Sequence, residues 1–321
     1  MSVTLCRAPA ARLGSESLLA RLRGDGTERP VVDPGLAGGL RDWLEDALAA
    51  SVGRLPEAAP PLRVTKEAIN QVLTCEAHFL AGRDAARRPT PELARGSLVD
   101  VLFRQWVTTG IIGEPLHDAL VALEVGGDPD GVAGFVQRLD PVHRRALAEE
   151  VAAHAATISA DWPSLSPAWM PRTQERLIVP LAGGRLVLSG VVDLALGAPS
   201  GGRASVCIVE VKSGRRRVEH RGDLHFYALL ETLRSGAAPF RLATYYSAGG
   251  ELDVEPVGAD VVHTALHRVL SATERLCRLV AGADAARTPS PRCRLCPVLD
   301  DCGPGRLRTA EAAHEEEARW D

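Results

Sequence analysis

Acidic side chains set inside apolar strand sequence constrain this chain more than any other feature. Cys207-Ile208-Val209-Glu210-Val211-Lys212 reads as a β-strand, and Gly190-Val191-Val192-Asp193 lies within the strand before it. Side chains alternate faces along a strand, so Glu210 and Lys212 share one face while Val209 and Val211 point into the core. A meander brings Asp193 beside Glu210. Two carboxylates and the backbone carbonyl of Val211 make a hard, oxygen-only donor set suited to Mg²⁺ or Mn²⁺. Such an ion polarises a phosphodiester and makes water nucleophilic near neutral pH. A lysine on the same face can hold that water and offset the developing charge.

Lys66 and Lys212 are the only lysines among 37 basic residues, which makes each of them worth a question. Arginine is a poor substitute for a water-holding lysine, because its guanidinium is planar, bulky and does not give up a proton. Around the two strands the pattern predicts helices over Gly39–Ala50, Thr65–Leu80 and Ala94–Thr108, and further helices over 115–160. Strands follow at Arg176–Leu181, Arg185–Leu196 and Ser205–Lys212, then a helix at Asp223–Arg234. Two more strands, Arg241–Ser247 and Leu252–Val257, precede a helix at Val261–Val280. The expectation is a mixed α/β core with flanking helices and a helical lobe. Residues 1–60 form an N-terminal elaboration, 61–304 the main domain with a helical insertion at about 111–165, and 305–321 an acidic tail.

The net charge of −4 excludes a uniformly basic coat but not a local basic groove. No apolar run reaches the ~20 residues of a membrane span, and the N-terminus lacks a secretory apolar region, so the expected location is the cytoplasm. No G-x-x-x-x-G-K-[ST] loop occurs, so the chain is not itself a helicase.

Leu188-Ser189-Gly190-Val191-Val192-Asp193 followed by Ile208-Val209-Glu210-Val211-Lys212-Ser213-Gly214 resembles the RecB-like branch of the PD-(D/E)xK nucleases, with G-x-x-D and then E-x-K-S-G. The resemblance implies a restriction-endonuclease-like core sheet and metal-dependent DNA hydrolysis. Asp193 and Glu210 would hold the metal and Lys212 would position water. Glu175 stands where the family often has an acid, and Tyr227 matches a tyrosine on the following helix. Two positions depart from the family: Asp223 replaces a glutamine, and Asp100, in Gly96-Ser97-Leu98-Val99-Asp100, replaces a metal-binding histidine. A carboxylate at Asp100 keeps the donor set all oxygen, which favours Mg²⁺ and Mn²⁺.

Seven cysteines point to metal or redox chemistry more than to disulfides. Cys293-x2-Cys296-x5-Cys302 is a compact triplet without a local fourth partner, and Cys75 lies far upstream. Zinc is one reading of such a triplet. One distant cysteine with C-x2-C-x5-C resembles the iron–sulfur staple of AddB-type and CRISPR-associated nucleases, which implies a [4Fe-4S] cluster on Cys75, Cys293, Cys296 and Cys302. Cys6, Cys207 and Cys277 are left over, and Cys207 reads as a small buried hydrophobe.

Arg215, Arg216, Arg217 and Arg221 follow the lysine and could track a DNA backbone. The expected activity is exonuclease action on single-stranded DNA ends in DNA processing, repair or defence. The alternative keeps the fold as a weak or inactive iron–sulfur DNA-binding subunit. A separately encoded helicase or CRISPR/defence partner is implied by the resemblance alone.

Overall fold

The computed structural model describes residues 15–24, 27–84, 89–199 and 202–317; Cys6 lies outside them. The elements begin with α1 (Ser15–Arg23), α2 (Leu36–Gly53), β1 (Leu62–Val64), α3 (Lys66–Thr74) and α4 (Glu76–Asp84). A helical lobe follows: α5 (Pro91–Thr109), α6 (Pro115–Gly126), α7 (Val132–Arg138) and α8 (Pro141–Asp161). Then come β2 (Arg172–Leu181), β3 (Leu186–Leu196), β4 (Cys207–Lys212), α9 (Val218–Ser235), β5 (Arg241–Tyr246), β6 (Glu251–Pro256), α10 (Ala259–Val280) and α11 (Gly303–Glu317). Among the described residues no helix is long and apolar enough to cross a membrane.

The mixed sheet explains how distant segments meet. Residues Leu186–Leu188 of β3 pair with β1 in parallel and with β2 antiparallel, so those strands occupy opposite edges of β3. Farther along, Leu194 and Ala195 pair with both β2 and β4, which places β4 on the same edge as β1. β1 and β4 therefore run head to head in one lane beside β3. Between Val64, the last partner from β1, and Val209, the first from β4, residues 189–193 have no strand neighbour on that edge among the described residues. β5 and β6 extend the sheet beyond β4.

One face of the sheet packs on α2, α3, α9 and α10 through Leu44, Leu48, Val72, Leu229 and Val262. Burying each such aliphatic side chain contributes about 1.5–3 kcal/mol. The other face carries Phe103, Trp162 and Tyr245, with Trp162 edge-on to both rings. α5 joins this layer to the helical lobe through Leu98 and Leu102.

The pattern predicts a single helix over Thr65–Leu80, but two form, with Cys75 extended between them (φ −163°, ψ 118°). Tertiary bonds override local periodicity at this point. The Thr288 amide donates to Cys75 Sγ (3.4 Å), and the Ala77 amide donates to the Ala286 carbonyl (3.1 Å). Buried Glu76 accepts from Arg278 (2.6 Å) and from the Ala286 amide (2.8 Å). The short strand β1 also escapes the sequence pattern, since three residues are too few to show an alternation.

Candidate active site

Where β4 leaves β3, a side chain replaces the ladder: Asp193 Oδ2 accepts from the Val211 amide (2.7 Å). The strands fork there, and a cleft of about 380 Å³ opens between the fork and α5, lined by Asp100, Asp193, Glu210, Val211 and Lys212. Gly190 is required just upstream, because a Cβ there would lie 2.5 Å from the Tyr227 ring. Tyr227 is itself buried and donates to the Val191 carbonyl (2.6 Å), so it fixes β3 beside the cleft.

Glu210 is 2% exposed, and its two oxygens live differently. Lys212 Nζ donates to Oε1 (2.7 Å), and Lys66 Nζ donates to the same atom. Oε2 is buried with no hydrogen-bond partner among the described residues. Burial alone would raise the Glu210 carboxyl, but the charges of Lys66 and Lys212 hold it below the usual range. Asp193 goes the other way: burial, then the charges of Glu210 and Asp100, push it well above that range. An unpartnered buried carboxylate oxygen is costly unless something cationic completes it. Among the described residues, no three His, Cys, Asp or Glu side chains already stand close enough together to hold an ion.

Asp100 reaches the cleft from α5 and is held by Gln174 Nε2 (3.3 and 3.4 Å to its two oxygens), with Arg104 at 3.7 Å. Gln174 has φ +53° and is skipped in the β2–β3 register, where Thr173 pairs Leu194 and Glu175 pairs Val192. Gln174 and Asp193 therefore stand opposite each other unpaired within an unshifted register, with Gln174 in a conformation that side chains other than glycine adopt at a cost. Asp223 is buried on α9, accepts from Asn70 Nδ2 (2.7 Å) and lies 4.0 Å from Lys212. Glu175 bonds to Arg172 (2.9 Å) and Arg234 (3.1 Å).

The arginine loop divides. Arg215 and Arg217 line the cleft. Arg216 pairs with Asp253 (2.7 Å) and Glu251 (3.3 Å), and Arg221 pairs with Glu255 through Nε (2.9 Å), all on strand β6. Sequence reasoning missed Lys66, Gln174 and Asn70 as neighbours of the carboxylates. Only Lys66 carried a signal, as one of two lysines in an arginine-rich chain.

Cys75, Cys293, Cys296 and Cys302 line one pocket between α4 and the segment 288–305. The Ser290 amide donates to Cys293 Sγ (3.3 Å), as Thr288 does to Cys75. His78 also lines the pocket, and its Nδ1 is buried without a partner. Cys207 and Cys277 are buried elsewhere, and burial pushes their thiols up to about 12 and about 11. They are inert by that measure.

No curated protein matches the sequence. Among solved structures, a protein from Eubacterium rectale described only provisionally as an exonuclease is similar over 74% of this chain and 86% of its own. The identity is 14% and the TM-score 0.44. The protein SSO0001 is similar over 84% of this chain and 96% of its own, at 14% identity and a TM-score of 0.31. Both likenesses are loose. The family match is direct: residues 63–303 fit the PD-(D/E)XK nuclease superfamily, a span that holds the forked strands, the paired carboxylates and all four pocket cysteines. By that span and its contents, the chain belongs to the PD-(D/E)XK nuclease superfamily.

Proposed function

We propose that this protein is a divalent-metal-dependent deoxyribonuclease of the RecB-like branch, acting on single-stranded DNA ends in the cytoplasm. The observation that carries this reading is the bare, buried Oε2 of Glu210 in a cleft with Asp193 and Asp100. Asp193, Glu210 and Asp100, with the Val211 carbonyl, would hold Mg²⁺ or Mn²⁺. A bound ion would supply Lewis acidity toward the phosphodiester and the attacking water. Lys212, on the face of β4 that carries Glu210, places its ammonium beside the reacting phosphate and offsets charge that develops there. Tyr227 keeps β3 and its aspartate in place. Arg215 and Arg217 at the cleft give the DNA backbone its contacts.

The four cysteines fit a [4Fe-4S] cluster by their chemistry: four thiols on one pocket, two already accepting backbone amides. The cluster's part is structural, tying α4 to the segment before α11.

The direct test is anaerobic digestion of end-labelled linear and circular single-stranded DNA with Mg²⁺, Mn²⁺ or EDTA. Metal-dependent loss of the linear substrate alone is expected. DNA binding without cleavage under every metal would favour the alternative, a non-catalytic subunit of a larger assembly.

A pH dependence follows from Asp193. A carboxyl raised by burial contributes stability below its unfolded pKa and loses it as pH climbs toward the folded value. Metal binding must displace that proton. Divalent-ion affinity should therefore rise with pH, and the ion should protect against heat more at about pH 8 than at about pH 6. Calorimetry in buffers of different ionisation enthalpy measures the released proton directly; heats independent of buffer would show Asp193 already ionised.

A further inference from the structure

Lys66 breaks a local rule. It is the first residue of α3, capped by Thr65, where the helix dipole disfavours a cation. Nothing acidic on its own helix accounts for it: Glu67 bonds to Gln71 instead. What accounts for it lies 144 residues away, on the Oε1 of Glu210. The head-to-head lane of β1 and β4 delivers the two lysines of the chain to one carboxylate oxygen, Lys66 just after β1 ends and Lys212 at the end of β4. Lys66 Nζ also lies 5.0 Å from the centre of the Tyr227 ring, which gives a desolvated ammonium a second favourable surface.

The charge of Lys66 is felt by all three carboxylates of the cleft, Glu210, Asp193 and Asp100. That is the electrostatic role of a cation seated among them. Glu210 Oε1 is saturated by two ammonium groups while Oε2 is bare. One divalent ion completes the cluster; a second would have to share Oε1 with two lysines at close range, where like charges repel strongly. We propose that Lys66 is a positioning residue that takes the place of a second cation and restricts this cleft to a single divalent metal ion. The proposal rests on the reading of Asp193 and Glu210 as metal ligands.

The experiment is Mn²⁺ titration of the full chain, with the free ion followed by electron paramagnetic resonance, for the parent, Lys66→Met, Lys66→Arg and Asp193→Asn. The parent and Lys66→Arg should bind one ion per chain at the cleft. Lys66→Met should bind two, with the thermal midpoint checked to confirm folding. Lys66→Gln serves if the methionine variant does not fold. Two ions bound by the parent, or one ion by a folded Lys66→Met or Lys66→Gln protein, would overturn the proposal. Binding unaltered in Asp193→Asn would instead remove the metal-ligand reading on which it stands.

Discussion

Glu210→Gln and Lys212→Met should each lower DNA cleavage by roughly 10³-fold or more while leaving the fold intact. Both changes nearly preserve side-chain volume, so the loss reports on charge and ligation rather than packing. Glu210→Gln removes the charge that Lys66 and Lys212 share and neutralises the bare Oε2. Lys212→Arg should also be poor, because a planar fork cannot replace a compact ammonium 2.7 Å from Oε1. Single-turnover rates on labelled DNA, with far-ultraviolet circular dichroism as the folding control, make the comparison. A Lys212→Met protein that cleaves at the parent rate would place the chemistry elsewhere.

The second large effect concerns the cysteine pocket. Any of Cys75, Cys293, Cys296 or Cys302 changed to serine should abolish the visible absorbance of anaerobically purified protein. A bridge between Cys75 and the C-terminal triplet closes a very long loop, worth roughly 5 kcal/mol by chain entropy. Its loss should lower the melting temperature by something on the order of 10 °C. Cys207→Ser and Cys277→Ser should keep the colour, since both thiols are buried away from the pocket. Iron retained in full by Cys75→Ser would mean that a different group completes the set, and His78, which lines the same pocket, is a candidate.

What could be read from the sequence was whatever depends on local spacing. Asp193, Glu210 and Lys212 were legible because strand alternation assigns them faces without knowledge of the partner strand. The mixed α/β order was legible for the same reason. Lys66 was visible only as an oddity of composition, because its partner is set by two strands meeting end to end on β3. Gln174 gave no warning, since a left-handed backbone position within a strand is usually announced by glycine or asparagine. The helix break at Cys75 was hidden for a related reason: apolar spacing continues through it, and the bonds that interrupt it come from residues 286–288. Arg216 and Arg221 read as free cations in sequence, yet acids on strand β6 face them.

The clasp around Cys75 and Glu76 also sets a timetable for making the protein. Cys75 is separated by 213 residues from Thr288, whose amide it accepts. At about 5–20 residues per second, translation of that interval lasts roughly 10–40 s. For most of it, Glu76 lacks Arg278 and the Ala286 amide, and the Cys75 thiol lacks its neighbours. The strands bearing Asp193, Glu210 and Lys212 are complete well before the interval ends. A polypeptide released before residues 278–288 are made would therefore carry the carboxylates without the clasp.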